Sequence, residues 1–458
     1  MNELTVILQR QQSTFQTGIT RPASFRIQQL KNLYAAISRY ETRINDALRK
    51  DLNKAPQESY NTEIGPALAE INFQLKNLAE WMRPKSVPGM IYSFPSSGKI
   101  YAEPYGIVLI IATWNYPFWL SIVPLAGALA AGNCVVLKPS EHAPATSMLL
   151  KQLLEETFEQ GYVEVVEGDA LVSEKLLQQK FDYIFFTGST RVGKLVAQSA
   201  ARHLIPCTLE LGGKTPCIID RSANITLAAK RLLWGKTINS GQTCVAPDFV
   251  YVHRSVEQQL LQALISTLHQ FYPKGALHDG DYPCIINQQH YERLKKLLHS
   301  GGTILYGGQR DDRRQTMEPT IISNISWDDA LMKEEIFGPL LPVLPYDDIS
   351  EVIQQVNEQP KPLSLYVFAS DKKLQQRIIR EISFGGGLIN DTIEHLGNPY
   401  LPFGGIGPSG LGAYHGKYSF DTFSHHKSVM KKGTWLDLNF RYPPFRKVSL
   451  WLARLLLR

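Results

Sequence analysis

The sequence predicts an α/β protein: a doubly wound, Rossmann-type parallel sheet followed by a second α/β region. Three observations carry this. Between Gly106 and Thr187 short apolar runs alternate with helical patterns, the rhythm of parallel strands joined by crossover helices. The run Phe185-Phe186-Thr187 enters Gly188-Ser189-Thr190-Arg191-Val192-Gly193, a glycine turn of the kind that opens a helix beneath a pyrophosphate. Finally, a chain of 458 residues exceeds what one hydrophobic core supports, so two or more domains are expected.

Taken in order, Ser13 to Trp81 reads as helices, with Leu30, Leu33, Ile37 and Ile44, then Leu68, Ile71, Leu75 and Leu78, at helical spacing. Met82 to Ser97 is rich in Pro, Ser and Gly and predicts an extended excursion. Ile107 to Ala112 is a buried-strand run that ends in Thr113-Trp114-Asn115-Tyr116-Pro117, with Pro117 suited to a helix start. Cys134 to Lys138 is a second strand that closes in Pro139-Ser140-Glu141. A helix from Ala143 to Gln160 and strands at Val163 to Glu167 and Tyr183 to Thr187 complete the first region. Lys138 and Glu141 thus lie just past a strand end, where open sheets bind ligands. The glycine turn is spaced GxxxxG rather than GxGxxG and no Gly-Lys-Ser/Thr follows it, so a nucleotide-triphosphate loop is not supported. After Glu210 further strands are expected at Pro216 to Ile219, Phe249 to Val252, Ile304 to Tyr306, Leu340 to Pro345 and Leu363 to Phe368, with helices at Leu227 to Thr237 and Val256 to Phe271. Six glycines between Gly397 and Gly412 exclude regular helix there and suit a segment that wraps a site or a partner subunit.

Composition excludes several classes. Five scattered cysteines, Cys134, Cys207, Cys217, Cys244 and Cys284, form no CxxC pair and no ligand spacing, which argues for a reducing, cytoplasmic setting and against a disulfide framework or a metal site. His425-His426 has no partners at ligand spacing. The start of the chain lacks the build of a signal peptide, and no apolar run reaches the roughly 20 residues of a membrane span. Seven of the 48 Lys and Arg and one of the 42 Asp and Glu fall between 431 and 458, so the rest of the chain balances at 41 of each. The protein is neutral with a basic tail, and nothing else points to nucleic acid.

Two stretches carry chemistry. Glu210-Leu211-Gly212-Gly213-Lys214 joins a carboxylate to two glycines, and Asn239-Ser240-Gly241-Gln242-Thr243-Cys244 leads to a cysteine through small polar residues. Glycines let backbone approach a ligand closely, and a thiol at the end of such a loop can meet a substrate. A cysteine that attacks a carbonyl must later shed the acyl group, and a carboxylate can activate the water that removes it. Cys244 as nucleophile and Glu210 as base is the reading this supports. An isolated cysteine is more often an inert core thiol, so the case rests on what surrounds the pair.

Those surroundings resemble the aldehyde dehydrogenase family across nearly the whole chain. The resemblance lies in Thr113 to Pro117, Leu137 to Glu141, Gly188 to Gly193, Glu210 to Lys214, Gly241 to Cys244, Glu334-Glu335-Ile336-Phe337-Gly338-Pro339 and Pro402-Phe403-Gly404-Gly405. The short N-terminus and Tyr414-His415-Gly416-Lys417-Tyr418-Ser419-Phe420 resemble the class 3 branch, which includes fatty aldehyde dehydrogenases. The resemblance implies a dinucleotide-binding domain at 1–81 and 101–209, a catalytic domain at 210–395, a bridging and oligomerisation arm at 82–100 and 396–430, and a homodimer. It implies a thiohemiacetal and then a thioester on Cys244, with the Asn115 carboxamide and the Cys244 N–H as oxyanion donors and Glu210 activating water. It also places Lys138 and Glu141 at the adenosine ribose, Gly188, Ser189 and Gly193 at the phosphates, Glu335 at the nicotinamide ribose and Phe337 beside the ring. The cofactor is NAD or NADP; Arg191, where the family often has Glu or Ala, leaves the choice open. Coenzyme A-acylating members typically lack a carboxylate at the Glu210 position, so its presence favours hydrolysis; acyl transfer and a non-catalytic binding role stand as alternatives.

The segment from Val448 to Arg458 is apolar with Arg454 and Arg458 on one side and Val448, Leu452, Leu455 and Leu456 opposite. It is expected either to dock on its own protein or to lie as a basic amphipathic helix on anionic lipid, giving a protein that is peripheral on a membrane surface. The second alternative suits a water-insoluble substrate: a medium-chain, long-chain or isoprenoid-type aldehyde.

Overall fold

The helices expected from Ser13 to Trp81 are Ala23–Leu52 and Gly65–Trp81 in the computed structural model, which describes residues 3–437, 441–444 and 447–456, and a further helix, Glu3–Gln16, precedes them. Ala23–Leu52 buries Leu30, Leu33, Ile37 and Ile44 and ends where Asn53 turns left-handed (φ 55°). A short helix, Pro56–Ser59, and a single π-helical turn, Tyr60–Ile64, connect it to Gly65–Trp81. Pattern reading took all of this as ordinary helix. π turns concentrate at functional sites, and this one carries the buried Glu63.

The first sheet has six strands in the order Gly410–Leu411, Cys207–Glu210, Tyr183–Thr187, Ile107–Ile111, Cys134–Lys138 and Val163–Val165, parallel except for Gly410–Leu411. Ile107–Ile111 and Tyr183–Thr187 are buried at every position, as strands covered on both faces must be. Strand order reverses between these two neighbours, so the crevice past their C-terminal ends is where a doubly wound sheet takes a ligand. Helix Trp119–Ala131 is buried throughout and begins two residues after Pro117, the residue expected to open it.

The chain leaves this sheet at Glu210 and enters the second at Pro216. The seven strands there run Thr303–Tyr306, Thr320–Ser323, Leu340–Tyr346, Phe249–His253, Pro216–Ile219, Ser364–Phe368 and Gly386–Ile389, all parallel except the first. Strand Thr320–Ser323 and the helices Gln288–Leu298, Ile349–Glu358 and Lys372–Glu381 escaped the pattern reading. Their apolar positions are few and set among Gln, Lys and Glu, so the fold supplies the burial that the periodicity only hints at.

The excursion after Met82 becomes part of a third, antiparallel sheet of Lys85–Val87, Ser96–Pro104 and Ser424–Lys432. Strand Ser424–Lys432 pairs along its whole length, Ser424 opposite Pro104 through Lys432 opposite Ser96, and so continues into the segment expected as tail. At the tip, Met90, Ile91 and Phe94 are exposed, and the Phe94 ring meets Trp435 edge-on at 5.9 Å. Helix Lys447–Leu456 lies beside this tip; Arg458 falls outside the described residues. Val448, Leu450, Trp451 and Leu455 are exposed.

Tyr414-His415-Gly416 anchors the arm to the first domain layer. Gly416 has φ +54°, and a Cβ there would stand 1.9 Å from the Pro399 carbonyl oxygen. Gly416→Ala is therefore expected to destabilise the protein by more than about 2 kcal/mol, seen as a lowered Tm in a thermal melt.

Candidate active site

A cavity of about 1920 Å³ opens between the first two sheets, and Cys244, Glu210, Asn115, Lys138, Glu141, Gly188, Ser189, Glu335 and Phe337 all line it. The structure thus brings together residues spread over nearly half the chain. Gly193 is the exception. It is buried one layer back, where a Cβ would come 2.5 Å from the Leu211 side chain, so it lets helix Thr190–Arg202 close on the sheet rather than touching the cavity.

The loop that leads to Cys244 has an unusual backbone. Asn239 (φ 50°), Ser240 (φ 54°) and Gly241 (φ 73°) are successively left-handed, a region costly for residues with a Cβ other than Asn and Asp. At Gly241 a Cβ would meet the Gly338 carbonyl oxygen at 2.3 Å. The turn is tied down by its own side chains. Gln242 Nε2 donates to the carbonyls of Asn239 (3.0 Å) and Cys284 (2.9 Å), and Gln242 Oε1 accepts from Ile286 N–H (3.0 Å). Ser240 Oγ donates to the Tyr282 hydroxyl at 3.2 Å. The Asn-Ser-Gly-Gln sequence is what such a turn requires.

Cys244 follows, half-buried. Burial pushes its thiol well up, the Glu335 and Glu210 carboxylates push it further, and the backbone N–H groups of Cys244 and Val245 pull the other way. The resting group is therefore a neutral thiol. Glu210 ends its strand with both carboxyl oxygens buried and without a hydrogen-bond partner. Burial alone holds its carboxyl well above the ordinary range, the signature of a group set for proton transfer rather than for stability. Asn115 Nδ2 donates one hydrogen to the Gln242 carbonyl (3.1 Å) and keeps the second. The neighbouring Tyr116 hydroxyl lies 2.5 Å from Thr243 Oγ1.

Lys138, buried, pairs with Glu141 at 2.6 Å. Burial is the largest single influence on the Glu141 carboxyl and pushes it up, but the Lys138 hydrogen bond, the Glu141 N–H and the charges of Lys138 and His142 together outweigh it, and the net shift is downward. At the glycine turn Ser189 caps helix Thr190–Arg202 by accepting from Val192 N–H (3.4 Å), and Gly188 N–H donates to the Glu210 carbonyl (3.0 Å). A Cβ on Gly188 would press to 2.6 Å from the Phe186 ring. Arg191 is exposed at the cavity rim. Glu335 lies over Gly212, where a Cβ would stand 2.0 Å from Glu335 Oε2. Burial, then repulsion from Asp248, raises its carboxyl to about 8 against the pull of Gly213 N–H. Phe337 meets Trp114 edge-on at 5.2 Å, and Trp114 contacts His290 at 4.8 Å. His290 lines the cavity unforeseen, since a lone His in a Gln-rich stretch carries no spacing signal. Lys54, Glu58 and Glu63, which reach the catalytic turns, were also missed.

A doubly wound sheet that faces a thiol and a partnerless carboxyl across one crevice is the architecture of a cofactor-linked oxidoreductase. The chain belongs to the aldehyde dehydrogenase family, whose pattern it matches over residues 4–429. It is an NAD(P)-dependent aldehyde dehydrogenase. It is similar to 4,4'-diaponeurosporen-aldehyde dehydrogenase of Staphylococcus aureus, at 49% identity over 94% of each chain. It is 42% identical to aldehyde dehydrogenase family 3 member A2 of Rattus norvegicus, covering 95% of this chain and 90% of that one. A solved structure of Staphylococcus aureus AldH in its substrate-bound state superposes with a TM-score of 0.98 at 47% identity, covering 100% of both chains.

The raised Glu210 carboxyl has a thermodynamic consequence. In the window above the ordinary carboxyl range the folded state binds more protons than the unfolded one, so stability falls as pH rises. Glu210→Gln lacks this titration. In urea unfolding of cofactor-free protein between about pH 5 and pH 9, its stability is expected to fall less steeply than that of the unsubstituted protein. Equal slopes would show that Glu210 ionises normally.

Proposed function

We propose that this chain oxidises apolar aldehydes, medium-chain, long-chain or isoprenoid-type, to carboxylic acids through a thioester on Cys244. The observation that carries the mechanism is the partnerless Glu210 carboxyl in the same cavity wall as Cys244. Sulfur attacks the carbonyl carbon as the thiol proton passes to the Glu210 carboxylate, which releases it to solvent before the second step. The carbonyl oxygen gains negative charge beside the second Asn115 Nδ2 hydrogen and the Cys244 N–H, donors worth roughly 3 kcal/mol each. Glu210 then takes a proton from the water that attacks the thioester, releasing the acid and restoring the thiol. The coenzyme A-acylating alternative finds no support, and a base aimed into the cavity favours water as acyl acceptor.

The cradles at Gly188 and Gly212, closed to any Cβ, fit a dinucleotide lying along the crevice. Lys138 and Glu141 would hold its adenosine ribose, Gly188 and Ser189 its phosphates with Gly193 closing the turn behind, Glu335 its nicotinamide ribose, and Phe337 would pack near the ring. When bound, the nicotinamide accepts the aldehyde hydrogen as hydride.

Trp119, Leu120, Trp234, Ile238, Phe271 and Ile393 give the cavity an apolar wall, which supports an apolar substrate, as do the names of the two relatives above. The three sheets support dividing the chain into a cofactor-binding unit, a catalytic unit from 210 to 395 and an arm. Strands Ser424–Lys432 and Gly386–Ile389 each leave one edge unpaired among the described residues, which supports a homodimer built by strand addition. The exposed apolar residues of helix Lys447–Leu456 and of the arm tip, with Lys427, Lys431 and Lys432 nearby, support contact with anionic lipid. No helix among the described residues is long and apolar enough to cross a membrane.

Reduced-cofactor absorbance with hexanal, dodecanal and an isoprenoid aldehyde, each with NAD and NADP, is expected to show turnover rising with chain length and abolished in Cys244→Ala. Turnover of short polar aldehydes alone would overturn the substrate class. Truncation before Lys431 is expected to abolish co-sedimentation with anionic vesicles and to lower long-chain turnover, leaving hexanal oxidation unchanged; unaltered sedimentation would remove the membrane role of the tail.

A further inference from the structure

Lys54, Glu58 and Glu63 come from one short stretch outside the chemistry described so far; Glu58 reaches the cavity wall, while Lys54 and Glu63 lie behind it. Lys54 and Glu63 are wholly buried and paired at 2.5 Å. Lys54 Nζ also donates to the backbone carbonyl of Asn115 (3.3 Å) and stands 4.1 Å from the Tyr116 ring centre. The second oxygen of Glu63 accepts from the backbone N–H groups of Phe118 (2.9 Å) and Trp119 (3.2 Å), at the start of helix Trp119–Ala131. Glu58 accepts from the N–H of Asn239 at 2.7 Å. Asn239 then closes the circuit: its Nδ2 donates to the Asn115 carbonyl (2.7 Å) and to the Gln242 carbonyl (3.1 Å).

Two turns far apart in sequence are thereby tied to one short stretch and to each other: 115–119 by Lys54 and Glu63, 239–244 by Glu58, with Asn239 bonded to the Asn115 carbonyl between them. A buried ion pair is a poor source of stability, because desolvation offsets most of its attraction. It is a good source of geometry, because every donor and acceptor has one low-energy arrangement. The π-helical turn places Glu63 at the Phe118 N–H while Glu58, one turn earlier, faces Asn239.

We propose that Lys54, together with Glu58 and Glu63, is a positioning unit that sets the Asn115 carboxamide and the Cys244 backbone at the separation where both donate to one substrate oxygen. This rests on the oxyanion reading of Asn115 given above. None of the three contacts the reacting atoms; they act through Asn115 and Asn239.

A double-mutant cycle tests it. Asn115→Ala is expected to lower kcat about 100-fold. Lys54→Met is expected to lower kcat at least about tenfold while KM for dodecanal stays within about twofold, and to cost less than about twofold more when Asn115 is already Ala. An equal loss in both backgrounds, or a loss confined to KM, overturns the proposal. Should Lys54→Met leave two unbalanced carboxylates and fail to fold, the charge-matched Lys54→Met with Glu63→Gln replaces it under the same criteria. Glu58→Gln, which keeps an acceptor for the Asn239 N–H, is expected to retain most of kcat, and Glu58→Leu to lose it; equal kcat in these two removes Glu58 from the unit. Unchanged kcat in Asn115→Ala would instead overturn the oxyanion reading and with it this proposal, a result separable from a failed cycle.

Discussion

The left-handed turn Asn239-Ser240-Gly241 is the constraint on which the rest of the site depends. Residues outside their ordinary backbone regions cost of order 1–3 kcal/mol each and persist only where their surroundings overdetermine them. Here the surroundings come from four other parts of the chain. Glu58 takes the Asn239 N–H, the Asn115 carbonyl takes the Asn239 amide, Cys284 and Ile286 clamp Gln242, and the Gly338 carbonyl closes over Gly241. The turn delivers Cys244 to the cavity at a fixed angle, and it joins the N-terminal helices to both sheets.

Burial of individual side chains decides the electrostatics of the site. Cys244, Glu210 and Glu335 all carry raised pKa values for which burial is the first cause. Burial works against the charged form of each. Where the chain needs a fixed charge it supplies a partner, as Lys138 does for Glu141 and Lys54 for Glu63. Glu210 has none among the described residues.

The arm carries a different physics. Its strands are long and exposed, its tip presents Met90, Ile91 and Phe94 to solvent, and the terminal helix adds Val448, Leu450, Trp451 and Leu455. Apolar surface on this scale beside a run of lysines is what an interface or a lipid surface covers. The substrate class inferred from the cavity wall and the surface inferred from the tail agree, since a water-insoluble aldehyde partitions into lipid before it meets an enzyme.

What the sequence by itself determined was local. The glycine turn after Tyr183–Thr187, the carboxylate at Glu210 and the small polar residues before Cys244 were legible because backbone conformation restricts residue type at each position. The parallel strands were legible because burial on both faces leaves an unbroken apolar run. Tertiary structure alone decided which distant groups meet. Lys54, Glu58 and Glu63 read as an ordinary charged helix, because nothing within five residues of them shows that Asn115 and Asn239 will lie against their heads. Gly193 read as a ligand contact, and only the packing of Leu211 against it shows a structural position. The raised carboxyl of Glu210 was equally invisible, because desolvation is a property of everything that surrounds a side chain and of nothing in the residue itself.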